Sequence, residues 1–128
     1  MGLAAQTAMI IDDDTDLSFL LEKILHTRKI SVVSVHSLQE AQNCIADVKP
    51  SVIFLDNSFP DGLGINFIKN IKASDKDANI IMMTAESAAW IREKAIEEGA
   101  QYFLKKPFSK KAIDNVLDKL NFRKRESN

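Results

Sequence analysis

Residues 52–56 read Val-Ile-Phe-Leu-Asp, four apolar residues ending on a carboxylate. An unbroken apolar run this short suits a strand covered on both faces rather than an alternating, half-exposed one. The pattern recurs at residues 8–11, Ala-Met-Ile-Ile, with Asp12, Asp13 and Asp14 directly behind it. Residues 31–35, 80–83 and 102–104 complete five strand candidates. Between them run helical periodicities. Leu17, Leu20, Leu21, Ile24 and Leu25 form one stripe, and Leu38, Ala41, Ile45 and Val48 a second. Ile65, Phe67, Ile68 and Ile71 form a third. Ala88, Ile91, Ala95 and Ile96 form a fourth, closed by Gly99, and Ile113, Val116, Leu117 and Leu120 a fifth. Ser37-Leu38-Gln39-Glu40 has capping-box spacing at the second helix. Strictly alternating strands and helices predict an α/β fold, a doubly wound five-stranded parallel sheet with five helices.

The composition agrees with a domain of that kind. The 128 residues are 45% hydrophobic and 27% charged, enough for a core without a disulfide or structural metal. Seventeen basic residues against 18 acidic ones leave a net charge of -1, so no electrostatic case exists for nucleic acid or a membrane surface. Cys44 has no partner for a bridge, and no apolar run approaches the roughly 18 residues of a membrane span. The expected location is therefore cytoplasmic. Short connections and the lack of repeats predict one domain over residues 1–128, with an ordered core at about 7–121 and a tail or linker stub at 122–128.

The polar residues gather at the strand ends. Asp12 and Asp13 follow the first strand and Asp56 the third, while Thr84 ends the fourth and Lys106 the fifth. Open α/β sheets bind ligands outside the carboxyl ends of their strands, where strand order reverses. In the order 2-1-3-4-5, Asp12, Asp13 and Asp56 share that crevice. Two carboxylates ~4 Å apart repel by about 4 kcal/mol at an effective dielectric near 20, so a cation is expected among them. An all-oxygen set with room for water and phosphate suits Mg²⁺. Asp14 and Asp16 instead suit the positive end of the first helix dipole. Lys106 precedes Pro107, and a cis bond there would aim the lysine inward. Three carboxylates, a hydroxyl and an ammonium suit phosphoryl transfer, with Asp56 as the nucleophile.

At this point the chain resembles the receiver domains of bacterial two-component response regulators. The acidic pair matches Asp12 and Asp13, the motif D-x-x-x-P-x-x-x-G matches Asp56, Pro60 and Gly64, and the switch hydroxyl matches Thr84-Ala85. The lysine before proline matches Lys106-Pro107-Phe108. The strand order 2-1-3-4-5 comes from this resemblance and not from the periodicity. The resemblance implies that Asp13, Asp56 and the carbonyl of Ser58 bind Mg²⁺ directly and that Asp12 acts largely through water. Asp56 would accept a phosphoryl group from a phosphohistidine on a sensor histidine kinase or histidine phosphotransfer protein. Thr84 and Lys106 would then bind the phosphoryl oxygens, and Phe103, standing where Tyr is common, would turn inward.

Output would pass through the surface of helix four, strand five and helix five to a downstream effector domain or protein, or to a homodimer. Ser58 and Glu86 sit where family members tune phosphate lifetime. Trp90 is either an exposed contact on helix four or folded against the surface. His26 and His36 are expected away from the crevice, and Cys44 in the core. The resemblance implies no enzyme beyond self-phosphorylation and slow self-dephosphorylation. A haloacid dehalogenase-type phosphatase needs a second Asp two residues after the nucleophile, where this chain has Ser58. The alternative function is a receiver-like interaction module that works without phosphorylation.

Overall fold

The structure is a computed structural model, described over residues 6–85 and 89–120. Ala88 of the fourth stripe, Glu86 and the tail at 122–128 lie outside the described residues. The chain runs β1 (Thr7–Ile11), α1 (Thr15–His26), β2 (Ser31–Val35), α2 (Leu38–Val48), β3 (Val52–Asp56), α3 (Ile68–Ser74), β4 (Asn79–Thr84), α4 (Ala89–Glu98), β5 (Tyr102–Lys105) and α5 (Lys110–Lys119). The five strands form one parallel sheet in the order β2-β1-β3-β4-β5. Each expected strand is present. Asp56 proves to be the last residue of its strand rather than the first beyond it, Thr84 ends β4, and Lys106 stands directly past β5.

Successive strand residues face opposite sides of the sheet, which divides the core in two. Met9, Ile11, Ile53, Leu55, Ile80 and Met82 meet α2, α3 and α4 on one face. Ala8, Ile10, Phe54, Ile81 and Met83 meet α1 and α5 on the other. Burial is complete along β3 and partial along the edge strands β2 and β5, where a neighbouring strand is missing on one side. The serines of β2 fit that edge position.

Two helical stripes depart from expectation. On α1 the buried set is Ser18, Leu21, Ile24 and Leu25, while Leu20 is 49% and Phe19 59% exposed. Leu20 lies about 100° round the helix from Leu21, at the border of the stripe. On α4, Ile91 and Ala95 turn inward but Ile96 is 47% exposed, for the same reason.

A further feature was not expected. Between β3 and α3 the chain makes a two-residue antiparallel ribbon, Ser58–Phe59 against Gly62–Leu63, then a 3-10 turn at Gly64–Asn66. A cavity of about 370 Å³, lined by Ile45, Pro50, Ile53, Ile71 and Ala78, opens at the amino-terminal end of the strands, opposite the end that carries Asp12 and Asp56.

Candidate functional site

The alternation of the strands sets the aim of the polar residues beyond them. Asp12 continues the parity of Ala8 and Ile10, Asp56 that of Val52 and Phe54, and Lys106 that of Tyr102 and Leu104. All three lean to the α1 and α5 side of the sheet. Their side chains meet there. Lys106 Nζ lies 2.8 Å from Asp12 Oδ2 and 3.1 Å from Asp56 Oδ1. The Lys106-Pro107 bond is cis.

Asp12 is fully buried and every polar part of it is engaged. Its amide donates to Val35 O at 3.1 Å, and its Oδ1 accepts from Asp14 N at 2.9 Å. Its carbonyl oxygen lies 3.0 Å from His36 Nδ1. Asp13 is exposed. Oxygens of Asp12, Asp13 and Asp56 all lie within 4.8 Å of one another, a spacing and an all-oxygen chemistry that fit a hard divalent cation. Asp14 instead caps α1, accepting from Leu17 N at 3.1 Å.

Burial first, and then the charge of Asp12, push the Asp56 carboxyl above its ordinary value against the pull of Lys106. Burial also disfavours the Lys106 ammonium. The hydrogen bond and charge of Asp12, followed by those of Asp56, outweigh that cost and hold Lys106 above its ordinary value.

Thr84 and Phe103 lie on the other parity. Thr84 continues Ile80 and Met82, and Phe103 pairs with Met82 and packs against the same core. Thr84 is buried, and its carbonyl accepts from Lys106 N at 2.8 Å. The expected acceptor and lysine therefore share one face of the sheet end, and the expected switch pair shares the other. Ser58 stands two residues past Asp56, exposed at the start of the ribbon.

Gly64 holds that ribbon against the site. A Cβ there would lie 1.9 Å from the carbonyl oxygen of Asp56, so only glycine fits. Its amide donates to Asn57 O at 2.8 Å, and the buried side chain of Asn57 accepts from Ile65 N at 2.9 Å. Sequence reading passed over Asn57, although a carboxamide directly after the acceptor is a signal for a side-chain-bound turn.

His36 corrects an expectation. Its place at a strand end suggests a position away from the crevice, yet β2 neighbours β1 and carries it to the main chain of Asp12. His26 is exposed at the end of α1, away from the acidic residues. Cys44 is half-buried against the α2 and α3 core rather than fully inside it. Trp90 is 58% exposed.

A parallel sheet of this order with an acidic crevice at its carboxyl end defines a class. The profile of the response regulator receiver domain matches residues 8–118, and the chain belongs to that family, the receiver modules of two-component systems. It is similar to the phosphate regulon transcriptional regulatory protein PhoB of Escherichia coli, 28% identical over 111 residues, covering 85% of this chain and 48% of PhoB. The chain thus spans about half the length of that relative. A CheY-like receiver domain protein from Methanospirillum hungatei superposes with a TM-score of 0.86 at 19% identity, over 92% of this chain and 95% of that one. A response regulator from Burkholderia pseudomallei, solved with a phosphorylated aspartic acid, calcium ion and citrate, gives 0.79 at 24% identity, over 84% and 64%. Among the described residues no helix is long and apolar enough to cross a membrane.

Proposed function

We propose that this receiver is a cytoplasmic phosphoacceptor that takes a phosphoryl group on Asp56 in a Mg²⁺-dependent reaction. The observation that carries the reading is the buried Asp56 carboxylate, held 3.1 Å from a Lys106 ammonium that also bonds Asp12, and within 4.8 Å of an Asp13 oxygen. The phosphorylated aspartate of the Burkholderia relative supports it.

Asp13, Asp56 and the carbonyl of Ser58 would hold Mg²⁺. Asp12, whose carboxylate oxygens already accept from Asp14 N and Lys106, would act through water. Bound there, the ion neutralises charge on the carboxylates and on the transferring phosphoryl oxygens. An Asp56 oxygen attacks the phosphorus of a phosphohistidine. The new P–O bond replaces the P–N bond, and the imidazole leaves with the bonding pair and takes up a proton. Lys106, positioned by Asp12, follows the charge onto a phosphoryl oxygen, and Thr84 donates its hydroxyl to another.

The donor is a sensor histidine kinase or histidine phosphotransfer protein. Movement of Thr84 lets Phe103 turn inward and reshapes the α4, β5 and α5 surface for an effector or a second receiver. The domain needs no direct contact with nucleic acid or membrane, and its chemistry is confined to itself.

Intact mass after incubation with acetyl phosphate tests this, with and without Mg²⁺, on wild type and Asp56→Ala. The expected result is a phosphate adduct on wild type with Mg²⁺ alone. No adduct on a chain that binds Mg²⁺ would contradict the proposal and leave an unphosphorylated interaction module.

A further inference from the structure

We infer that the amino-terminal end of α2 is a positioning device for the acidic cluster, acting through His36 and Asp61. The inference rests on the reading of Asp12, Asp13 and Asp56 as a cation site. The oxygens of that site come from two separate segments, the loop after β1 and the end of β3. Both segments are tied to the same turn of helix.

The first tie is made by His36. A carbonyl oxygen only accepts, so the 3.0 Å contact between Asp12 O and His36 Nδ1 requires the proton on Nδ1. Residues 35 and 36 thereby hold Asp12 by both its amide and its carbonyl, since Asp12 N also donates to Val35 O. The carbonyl of Asp12 belongs to the peptide unit that leads into Asp13. Its orientation fixes the position of the Asp13 Cα, from which that side chain starts. His36 is itself fixed by the helix start: its amide donates to Glu40 Oε1 at 2.7 Å, and Glu40 N donates to Ser37 Oγ at 3.1 Å. A capping box would bring Glu40 back to the amide of Ser37; here Glu40 reaches one residue further, to His36.

The second tie is made by Asp61, five residues after Asp56. Its carboxylate accepts from Leu38 N at 3.4 Å and Gln39 N at 3.1 Å, two of the amides that a helix start leaves without helical partners. A negative charge is favoured there. Behind Asp61, the ribbon runs back to the acceptor through the Asn57 and Gly64 contacts. Gly62 turns the ribbon with a φ of +148°, a conformation that L side chains rarely adopt.

Helix α2 therefore sets the spacing between the Asp12–Asp13 loop and the Asp56–Ser58 segment. Mg²⁺ demands near-octahedral geometry at short distances, whereas Ca²⁺ accepts irregular sets. Loosening either tie is therefore selective: it weakens Mg²⁺ binding and leaves Ca²⁺ binding nearly intact. A role confined to stability would not change that ratio.

The test is calorimetric titration of the full chain with Mg²⁺ and with Ca²⁺. His36→Leu and Asp61→Ala are each expected to weaken Mg²⁺ binding by about tenfold. Ca²⁺ affinity should change by less than about twofold. His36→Asn, whose carboxamide can donate to Asp12 O, should recover most of the Mg²⁺ affinity. Unchanged Mg²⁺ affinity in both variants, or equal losses for the two ions with Asn no better than Leu, overturns the inference. The cation-site reading is checked separately in the same series. It fails, and takes the inference with it, if wild type does not bind Mg²⁺ or if Asp13→Ala and Asp56→Ala bind it like wild type.

Discussion

Lys106 Nζ stands 3.1 Å from Asp56 Oδ1, so the residue proposed to accept the phosphoryl group already holds a cation against one oxygen. The same ammonium is nearer to Asp12, at 2.8 Å. It separates two carboxylates that would otherwise face each other in a buried crevice. Replacing it with Met leaves both charges without that partner, and the expected loss of stability is about 3 kcal/mol in urea unfolding without divalent ions. Added Mg²⁺ should recover part of the loss. Stability equal to wild type would show that the ammonium is not compensating the carboxylates.

Asp56 has the opposite effect on stability. Burial and the Asp12 charge raise its folded pKa, so around that pKa the folded state holds the proton more tightly than the unfolded state. Stability from this group therefore falls as pH rises from the unfolded pKa through the folded one, and the full cost remains above it. Asp56→Asn removes that cost. Its thermal midpoint should exceed that of wild type at neutral pH without divalent ions, and the gap should close on acidification. Mg²⁺ at 100 times its Kd should add about 2.7 kcal/mol to wild type and much less to the variant. Equal midpoints at neutral pH contradict the assignment.

Gly64→Ala tests the packing of the ribbon. The added methyl meets a backbone oxygen, which no rotamer change can move aside. A loss of at least about 3 kcal/mol is expected, read as a lower urea midpoint. An unchanged midpoint would mean that the ribbon does not press on Asp56 in solution.

Arg28, buried at the end of α1, bonds Asp114 at 2.9 Å and Asp118 at 2.7 Å on α5. Asp118 is 48% exposed and its pair is worth little, so the Asp114 contact dominates. Arg28→Met should cost about 3 kcal/mol, and Arg28→Lys should not restore it because the planar fork is lost. Burial works against the Asp114 charge, but the hydrogen bonds of Lys110 and Arg28, with their charges, hold its pKa below the ordinary value. That stabilisation is present above the unfolded pKa of about 3.9 and is lost as pH falls through the folded one. The gap between wild type and variant should narrow in that acid range. A constant gap argues for packing alone.

The strands and the polar residues at their ends were legible because apolar runs, turn chemistry and carboxylates agree locally. Residue 56 is an example: four apolar residues point to the strand and the carboxylate marks its end. The contacts that His36 and Asp61 make were not legible. Nothing local to His36 or Asp61 shows that β2 brings one to Asp12 or that a ribbon carries the other to α2. Leu20 and Ile96 fail for a different reason, since a stripe border is decided by the neighbouring helix and not by the residue itself. Asn57 and Gly64 fall between. Their types announce a turn, but only the 1.9 Å approach to Asp56 shows why glycine is required.

The central claim is that Asp56 itself carries the phosphoryl group. Borohydride reduces an acyl phosphate to the alcohol, which converts a phosphorylated aspartate to homoserine. After acetyl phosphate and Mg²⁺, reduction and peptide mapping should find homoserine at position 56 and nowhere else. Homoserine at another carboxylate, or none on protein that binds Mg²⁺, would contradict the claim.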